Sequence, residues 1–208
     1  VSPKLNFIYN QSNNLQLYFK SGKGFHSNDS RVVLSQSQRK NLPGAYGNDL
    51  GFIWKPSKYF LINAALWHLY LEQEFVYVGD AGIVEPSGKT YRKGVDFSIR
   101  YQPKSWLIAS ADINYAHARA LETDETEAFI PLAPNLTMAG RLEVIHPSGF
   151  FGGWRTRHIA DRAATENNEI VAQGYTVSDA NIGYSFKRFD IGLNIKNVFN
   201  IEWNETQF

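Results

Sequence analysis

Near the end of the chain, apolar and polar residues alternate with a period of two. Phe189, Ile191, Leu193 and Ile195 are interleaved with Asp190, Gly192, Asn194 and Lys196, and just before them Ala180, Ile182, Tyr184 and Phe186 alternate with Asp179, Asn181, Gly183 and Ser185. A period of two places each set on one face of a β-sheet. Residues 174–203 therefore read as one long β-hairpin closed through Lys187-Arg188. The pattern recurs upstream, where strands are expected over 4–10, 15–22, 49–55, 59–78, 90–102, 106–118, 134–145 and 150–159, which makes ten with the hairpin. The fourth is ambiguous in parity. Ala64 to Leu71 are apolar on both sides, so the pattern does not decide which of Trp67 and His68 belongs to the apolar face.

The connections alternate in length as regularly as the residues do in polarity. Short turns rich in Asn, Pro, Ser, Lys and Arg fall at 11–14, 56–58, 103–105, 146–149 and 187–188, with the chemistry that tight turns favour. Between them run long stretches: a polar one over 23–47, a loop over 79–89, an acidic one over 119–133 and another over 160–173. A soluble meander has no reason to keep every long loop at one end. An outer-membrane barrel does, with short periplasmic turns and long extracellular loops. The fold expected is all-β: an antiparallel up-and-down transmembrane β-barrel portion of about ten strands.

Aromatic residues strengthen this expectation. Phe7, Tyr9, Trp54, Tyr59, Phe60, Tyr101, Trp106, Phe150, Phe151, Tyr184, Phe186 and Phe189 stand beside the short turns, where a girdle of rings would meet lipid headgroups. The polar positions point the same way. Gln16, Lys20, Asp96, Arg100, Asp112, Asn114, Arg141, Glu143, Arg155, Arg157, Asp179, Asn181, Asn194 and Lys196 all fall mid-strand on the second face. A dry core does not bury so many charges, whereas a wide lumen filled with water or a plug satisfies them. A soluble ligand-binding barrel would need apolar residues on that face.

Composition removes several other classes. The 208 residues carry 21 basic and 20 acidic side chains and no cysteine. A near-neutral balance argues against nucleic acid as a partner, and the missing cysteines exclude disulfides and thiolate-bound zinc. No run of eighteen apolar residues would make a membrane helix. The negative mean hydropathy is what a barrel with apolar residues at alternate positions would show.

Five segments, in order, resemble the C-terminal half of the barrel of TonB-dependent outer-membrane receptors. They are Lys20 to Asp29 (KSGKGFHSND), Tyr91 to Pro103 (YRKGVDFSIRYQP), Leu132 to Leu142 (LAPNLTMAGRL), Gly174 to Val177 (GYTV) and Ile195 to Asn200 (IKNVFN). Within the first, His26 stands where the family usually has arginine and Asn28 where it has proline. The resemblance implies a 22-stranded barrel around a plug, of which these strands would be roughly the twelfth to the twenty-first. The plug with its TonB box, the first half of the barrel and the last strand are then expected outside residues 1–208, and Phe208 falls in an outer loop. It also implies uptake of a scarce nutrient, most often a ferric siderophore, across the bacterial outer membrane. The partners implied are membrane lipid, the small nutrient ligand, and the TonB complex acting through the plug. A passive porin-like channel and a small outer-membrane barrel enzyme are the alternatives.

Candidate ligand contacts come from the outer loops and the lumen. Arg155, Arg157, His158 and Arg162 form a basic group near the outer mouth, suited to steering an anionic ligand, while Tyr77, Tyr91 and Arg92 flank another outer loop. His158, three residues from Asp161, is the one position suggestive of acid–base catalysis, but no second Asp–His pair accompanies it, so no catalytic residue is assigned. The acidic run Arg119 to Glu127 holds Glu122, Asp124, Glu125 and Glu127 without the spacing of an EF-hand. No metal site and no cofactor are expected.

Overall fold

The computed structural model describes residues 1–25, 42–78 and 83–204, and over 75–78 and 83–87 the backbone alone. The family-like segment beyond Phe25, with His26 and Asn28, lies outside these residues, as does Phe208. Ten strands form one antiparallel sheet in simple up-and-down order. They are β1 (Lys4–Asn10), β2 (Leu15–Phe25), β3 (Gly44–Trp54), β4 (Phe60–Val78), β5 (Ile83–Lys104), β6 (Leu107–Ala120), β7 (Leu136–Ile145), β8 (Phe150–Ile159), β11 (Tyr175–Ser185) and β12 (Asp190–Ile195). A two-stranded ribbon, β9 (Arg162–Ala163) with β10 (Val171–Ala172), sits within the connection between β8 and β11.

Strand pairing converts the sequence alternation into two continuous faces. One row across the sheet runs Phe7, Phe19, Leu50, Leu66, Val95, Tyr115, Leu136, and another runs Tyr9, Leu17, Phe52, Ala64, Phe97, Ile113, Met138. Among the described residues no second layer of structure covers these side chains. Leu50 is 58% exposed, Leu66 59%, Ile191 60% and Leu193 58%. An apolar patch this extensive on one face is an interaction surface, and the hairpin residues that opened the pattern belong to it.

Register also settles the parity of β4. Trp67 lies opposite Asp49 and Gly94, on the polar face, and His68 lies opposite Asn48 and Lys93, on the apolar face. Trp67 is tolerated there because its indole N–H donates to Asp96 at 3.0 Å. Gly94 leaves the space: a Cβ at that position would stand 2.5 Å from the indole ring.

Rings mark both ends of the apolar face. At the short-turn end Phe60 stacks on Tyr101 at 4.4 Å, and Phe186 meets Tyr184 at 4.9 Å and Phe189 at 4.7 Å. At the other end Tyr46, Tyr70 and Tyr91 form a second row. Phe60 and Tyr70 are ten residues apart on β4, which at about 3.4 Å per residue and the usual 35–45° tilt gives a band roughly 24–28 Å tall. That matches the hydrocarbon span of a membrane barrel. Phe151 departs from the expected girdle, because it pairs with Ile145 and Gly183 on the polar face.

Several boundaries differ from the sequence expectation. β2 and β3 extend into the polar stretch, pairing as far as Phe25 with Gly44. β4 ends at Val78 as expected, but β5 begins at Ile83 rather than at residue 90, so the two form a long ladder, with the register shifted between Leu71 and Glu74 and again between Glu74 and Phe75. Pro86 and Gly88 mark a turn in sequence. Here a bulge absorbs them, and Gly88 takes φ 69°. The final ladder stops at Ile195 rather than climbing to Trp203. Asn197 and Asn200 both adopt φ 51°, and Asn197 bonds Ile201 through both ends of its amide, donating at 2.9 Å and accepting at 3.0 Å.

Candidate functional site

The polar face gathers the charged chemistry. At its outer end, Asp96 accepts from both Trp67 and Asn114. One step further out, Glu74 accepts from the Arg92 guanidinium and, at 2.8 Å, from the Thr90 hydroxyl. Thr90 is fully buried, and Arg92 and Glu74 retain only 28% and 16% side-chain exposure. Such shielding strengthens the ion pair relative to a surface one.

Loop residues roof this cluster. Ile130, Pro131, Leu132, Ala133 and Pro134 line one side of an open cavity of about 570 Å³ whose other walls include Trp67, Glu74, Arg92 and Asn114. The roof is held by backbone bonds: Ala120 N–H to Ala128 O at 2.9 Å, Leu132 N–H to Ala163 O at 2.8 Å and Phe129 N–H to Glu166 O at 3.1 Å. The connection between β6 and β7 is therefore stitched to the one between β8 and β11. Ala118, Ala120, Ala128, Ile130, Ala163, Ala164 and Ala172 form a small buried core beneath it. Lys89 and Glu122 clamp its near side at 2.7 Å, and the Lys89 ammonium holds the Glu122 carboxyl below the usual carboxylate range.

Lower on the same face lies a second cavity of about 670 Å³, lined by Arg141, Glu143, Arg155, Asp179, Asn181, Asn194 and Lys196 among others. Arg141 pairs with Glu143 two residues along its own strand, as same-face neighbours do. Between the two levels, the Arg157 guanidinium lies 6.0 Å from the Tyr175 ring and 5.5 Å from the Trp203 ring, within cation–π range. Those rings are themselves 5.9 Å apart. Neither aromatic was among the residues expected from sequence. Tyr175 could have been found there, since it falls on the polar face in register with Ile159.

The expected site residues are divided by the fold. Arg155 and Arg157 share the polar face with Arg92. Arg162 is buried in β9, within the stitched connection. His158 lies on the opposite face, opposite Met138 and Thr176, and its Nδ1 is 2.8 Å from the Thr176 hydroxyl. Asp161 is engaged elsewhere, accepting from the Gly174 N–H at 2.6 Å, so it does not orient His158 as a base. Tyr91 is also on the apolar face, in the tyrosine row. Tyr77 contributes its backbone to β4, and its side chain lies outside what is described. Among the described residues no group of three His, Asp or Glu side chains could hold a metal ion.

This architecture has a family. The model of the TonB dependent receptor-like β-barrel matches residues 1–198. The chain belongs to that family. Solved TonB-dependent receptors share its fold. The ferric-catecholate import receptor Fiu from E. coli K12, closed form, superposes with TM-score 0.75 at 18% identity, over 98% of this chain and 31% of Fiu. The ferric yersiniabactin uptake receptor FyuA from Yersinia pestis gives 0.79 at 12%, over 99% and 33%. The copper transporter OprC gives 0.76 at 15%, over 98% and 34%. The chain thus spans about a third of the length of these receptors. A comparison with curated protein sequences found no match. The exposed apolar face and the charged polar face are the two sides of that barrel's wall.

Proposed function

We propose that residues 1–208 are the C-terminal part of the barrel of an outer-membrane transporter, and that the whole receptor takes up a ferric siderophore with energy delivered by TonB through a plug domain. The barrel in this reading has 22 strands, and the remaining ones, with the plug, belong to other parts of the receptor. The observation that carries it is the pairing of two opposite faces on one sheet. A lipid-exposed apolar band of membrane height backs onto a charged inner wall roofed by stitched outer loops, in a chain of this family. In this reading the protein is a transporter and not an enzyme, which agrees with His158 and Asp161 each being bonded to a different partner.

Ligand recognition falls to the inner wall. Arg155 and Arg157 project onto it, and the Tyr175 and Trp203 rings beside Arg157 offer flat surfaces for a chelate carrying negative charge. The test is uptake of radiolabelled iron by cells expressing the full-length receptor under iron limitation. Uptake of a ferric siderophore should require the receptor, fall when TonB is deleted, and drop at least about tenfold in Arg155→Ala/Arg157→Ala, each lost charged contact being worth about 1.5–3 kcal/mol. Uptake that persists without TonB would point to a passive pore. Accumulation of copper but not iron would replace the substrate.

A further inference from the structure

A row of basic and imidazole side chains interrupts the apolar pattern of the lipid face. His68, Lys93 and His117 stand directly opposite one another on β4, β5 and β6, with strands about 4.8 Å apart. The row lies immediately above Leu66, Val95 and Tyr115 and immediately below Tyr70, Tyr91 and Arg119. Asn48 extends it on β3, with its amide nitrogen 2.7 Å from His68 Nε2, and the His68 ring stacks on Tyr91 at 5.8 Å. Arg119, above His117 on the same strand, donates from one guanidinium nitrogen to Ala118 O at 2.8 Å and lies 4.1 Å from the Phe129 ring, so a further partner approaches it from the side away from that ring.

No carboxylate belongs to this row. The acids further out have other partners: Glu122 takes Lys89 at 2.7 Å, and Glu72 accepts from the Gly44 N–H at 3.1 Å and the Tyr46 hydroxyl at 3.4 Å. The contrast with the lumen is plain, where Arg92 and Arg141 each face a carboxylate. The row stands about 5 Å below the tyrosine row, counting two residues at ~3.4 Å on a tilted strand. A lysine there must reach up toward the interface and meet an anion, because charge left among acyl chains is costly.

We propose that His68, Lys93 and His117, with Arg119 above them, bind a phosphorylated lipid headgroup of the outer leaflet. The proposal rests on the outer-membrane reading above, and its ligand is a membrane component rather than cargo. The phosphate sits across the three strands, its oxygens taken by the Lys93 ammonium and the Arg119 guanidinium and flanked by the two imidazoles. Tyr70 and Tyr91 supply the amphipathic rings that belong at headgroup level.

The experiment uses the full-length receptor extracted from its membrane in mild detergent, with retained lipid counted as organic phosphorus per barrel and identified by mass spectrometry. Lys93→Gln/Arg119→Gln should bind the phosphorylated lipid about 30-fold more weakly, at about 1 kcal/mol per basic residue. Lys93→Arg/Arg119→Lys should restore it, and Lys104→Gln/Lys187→Gln at the opposite end should leave it unchanged. Should the double variant fail to fold, Lys93→Gln alone is measured, with about fivefold expected. Equal retention by wild type and the Gln variants overturns the site. Equal binding of vesicles with and without the phosphate on their lipid also overturns it, as does tight binding of inorganic phosphate alone, which would make it a free-anion site. Iron uptake is read in parallel. Loss of uptake in the wild type would sink the transport reading while leaving the lipid result intact.

Discussion

Substituting Ile113 with arginine, against the same residue introduced at Ser98, separates the two faces most sharply. Ile113 lies in the row of Ala64, Phe97 and Met138, midway between the tyrosines near the outer loops and the Phe60–Tyr101 pair near the turns. That height is the middle of the band. Ser98 lies opposite Asn63 and Asp112 on the lumen face, one residue away in height. Arginine at the bilayer midplane of a barrel costs about 2–4 kcal/mol, so Ile113→Arg should lower the folding equilibrium constant by roughly 30- to 800-fold. Ser98→Arg gains a carboxylate neighbour in Asp112 and an aqueous lumen, and should stay within about 0.5 kcal/mol of wild type. The assay is reversible folding of the full-length receptor into phospholipid vesicles, followed by tryptophan fluorescence against guanidinium and by heat-modifiable mobility. Equal costs at the two positions, or a greater cost at Ser98, would show that the exposed apolar face does not meet lipid.

Three further outcomes follow from the lumen and its roof. Glu74→Ala strands the half-buried Arg92 guanidinium and the buried Thr90 hydroxyl, and should destabilise the outer end by about 2–4 kcal/mol, visible as faster proteolysis of the β4–β5 extension. Trp67→Phe keeps the ring over Gly94 but removes the donor to Asp96. About 1 kcal/mol should be lost in the same folding assay, because the contact is partly open to solvent. Glu122 has its pKa depressed in the folded state by Lys89. Its contribution to holding the loop is therefore present above the unfolded carboxylate pKa and lost as pH falls through the lower folded value. Amide protection factors over residues 121–128, taken relative to intrinsic exchange at each pH, should fall on acidification, and Lys89→Gln should abolish that fall.

Much of the fold could be read from alternation, because register in a two-faced strand is fixed by which side chains each face accepts. β5 and the β11–β12 hairpin read unambiguously in parity for that reason. β4 did not. Ala65, Leu69 and Leu71 are apolar yet belong to the polar face, and Leu71 is buried there at 6% exposure. The stitched roof was illegible on other grounds. Its bonds join backbone groups of Leu132 to Ala163 and of Phe129 to Glu166, and such bonds carry no side-chain signature. Of the candidate site only the placement was legible: the spacing of Arg155 and Arg157 puts them on one face, as the register does, whereas grouping His158 with them followed closeness in sequence, and in a strand the next residue is on the other side.

Two of the departures from strict alternation fall on neighbouring strands. Trp67 is an aromatic on the polar face, and Lys93, flanked by His68 and His117, is a cation on the apolar one. A misplaced aromatic with its N–H bonded to Asp96 is locally complete, so its environment explains it within the chain. A misplaced cation is different. Lys93 is exposed, in a row without a carboxylate, at a depth where water is thinning. A charge cannot be left so without a counter-charge. The first departure therefore belongs to folding, and the second to what the folded sheet touches. That asymmetry is why the row across β4, β5 and β6, rather than the tryptophan beside it, points outward to a ligand supplied by the membrane.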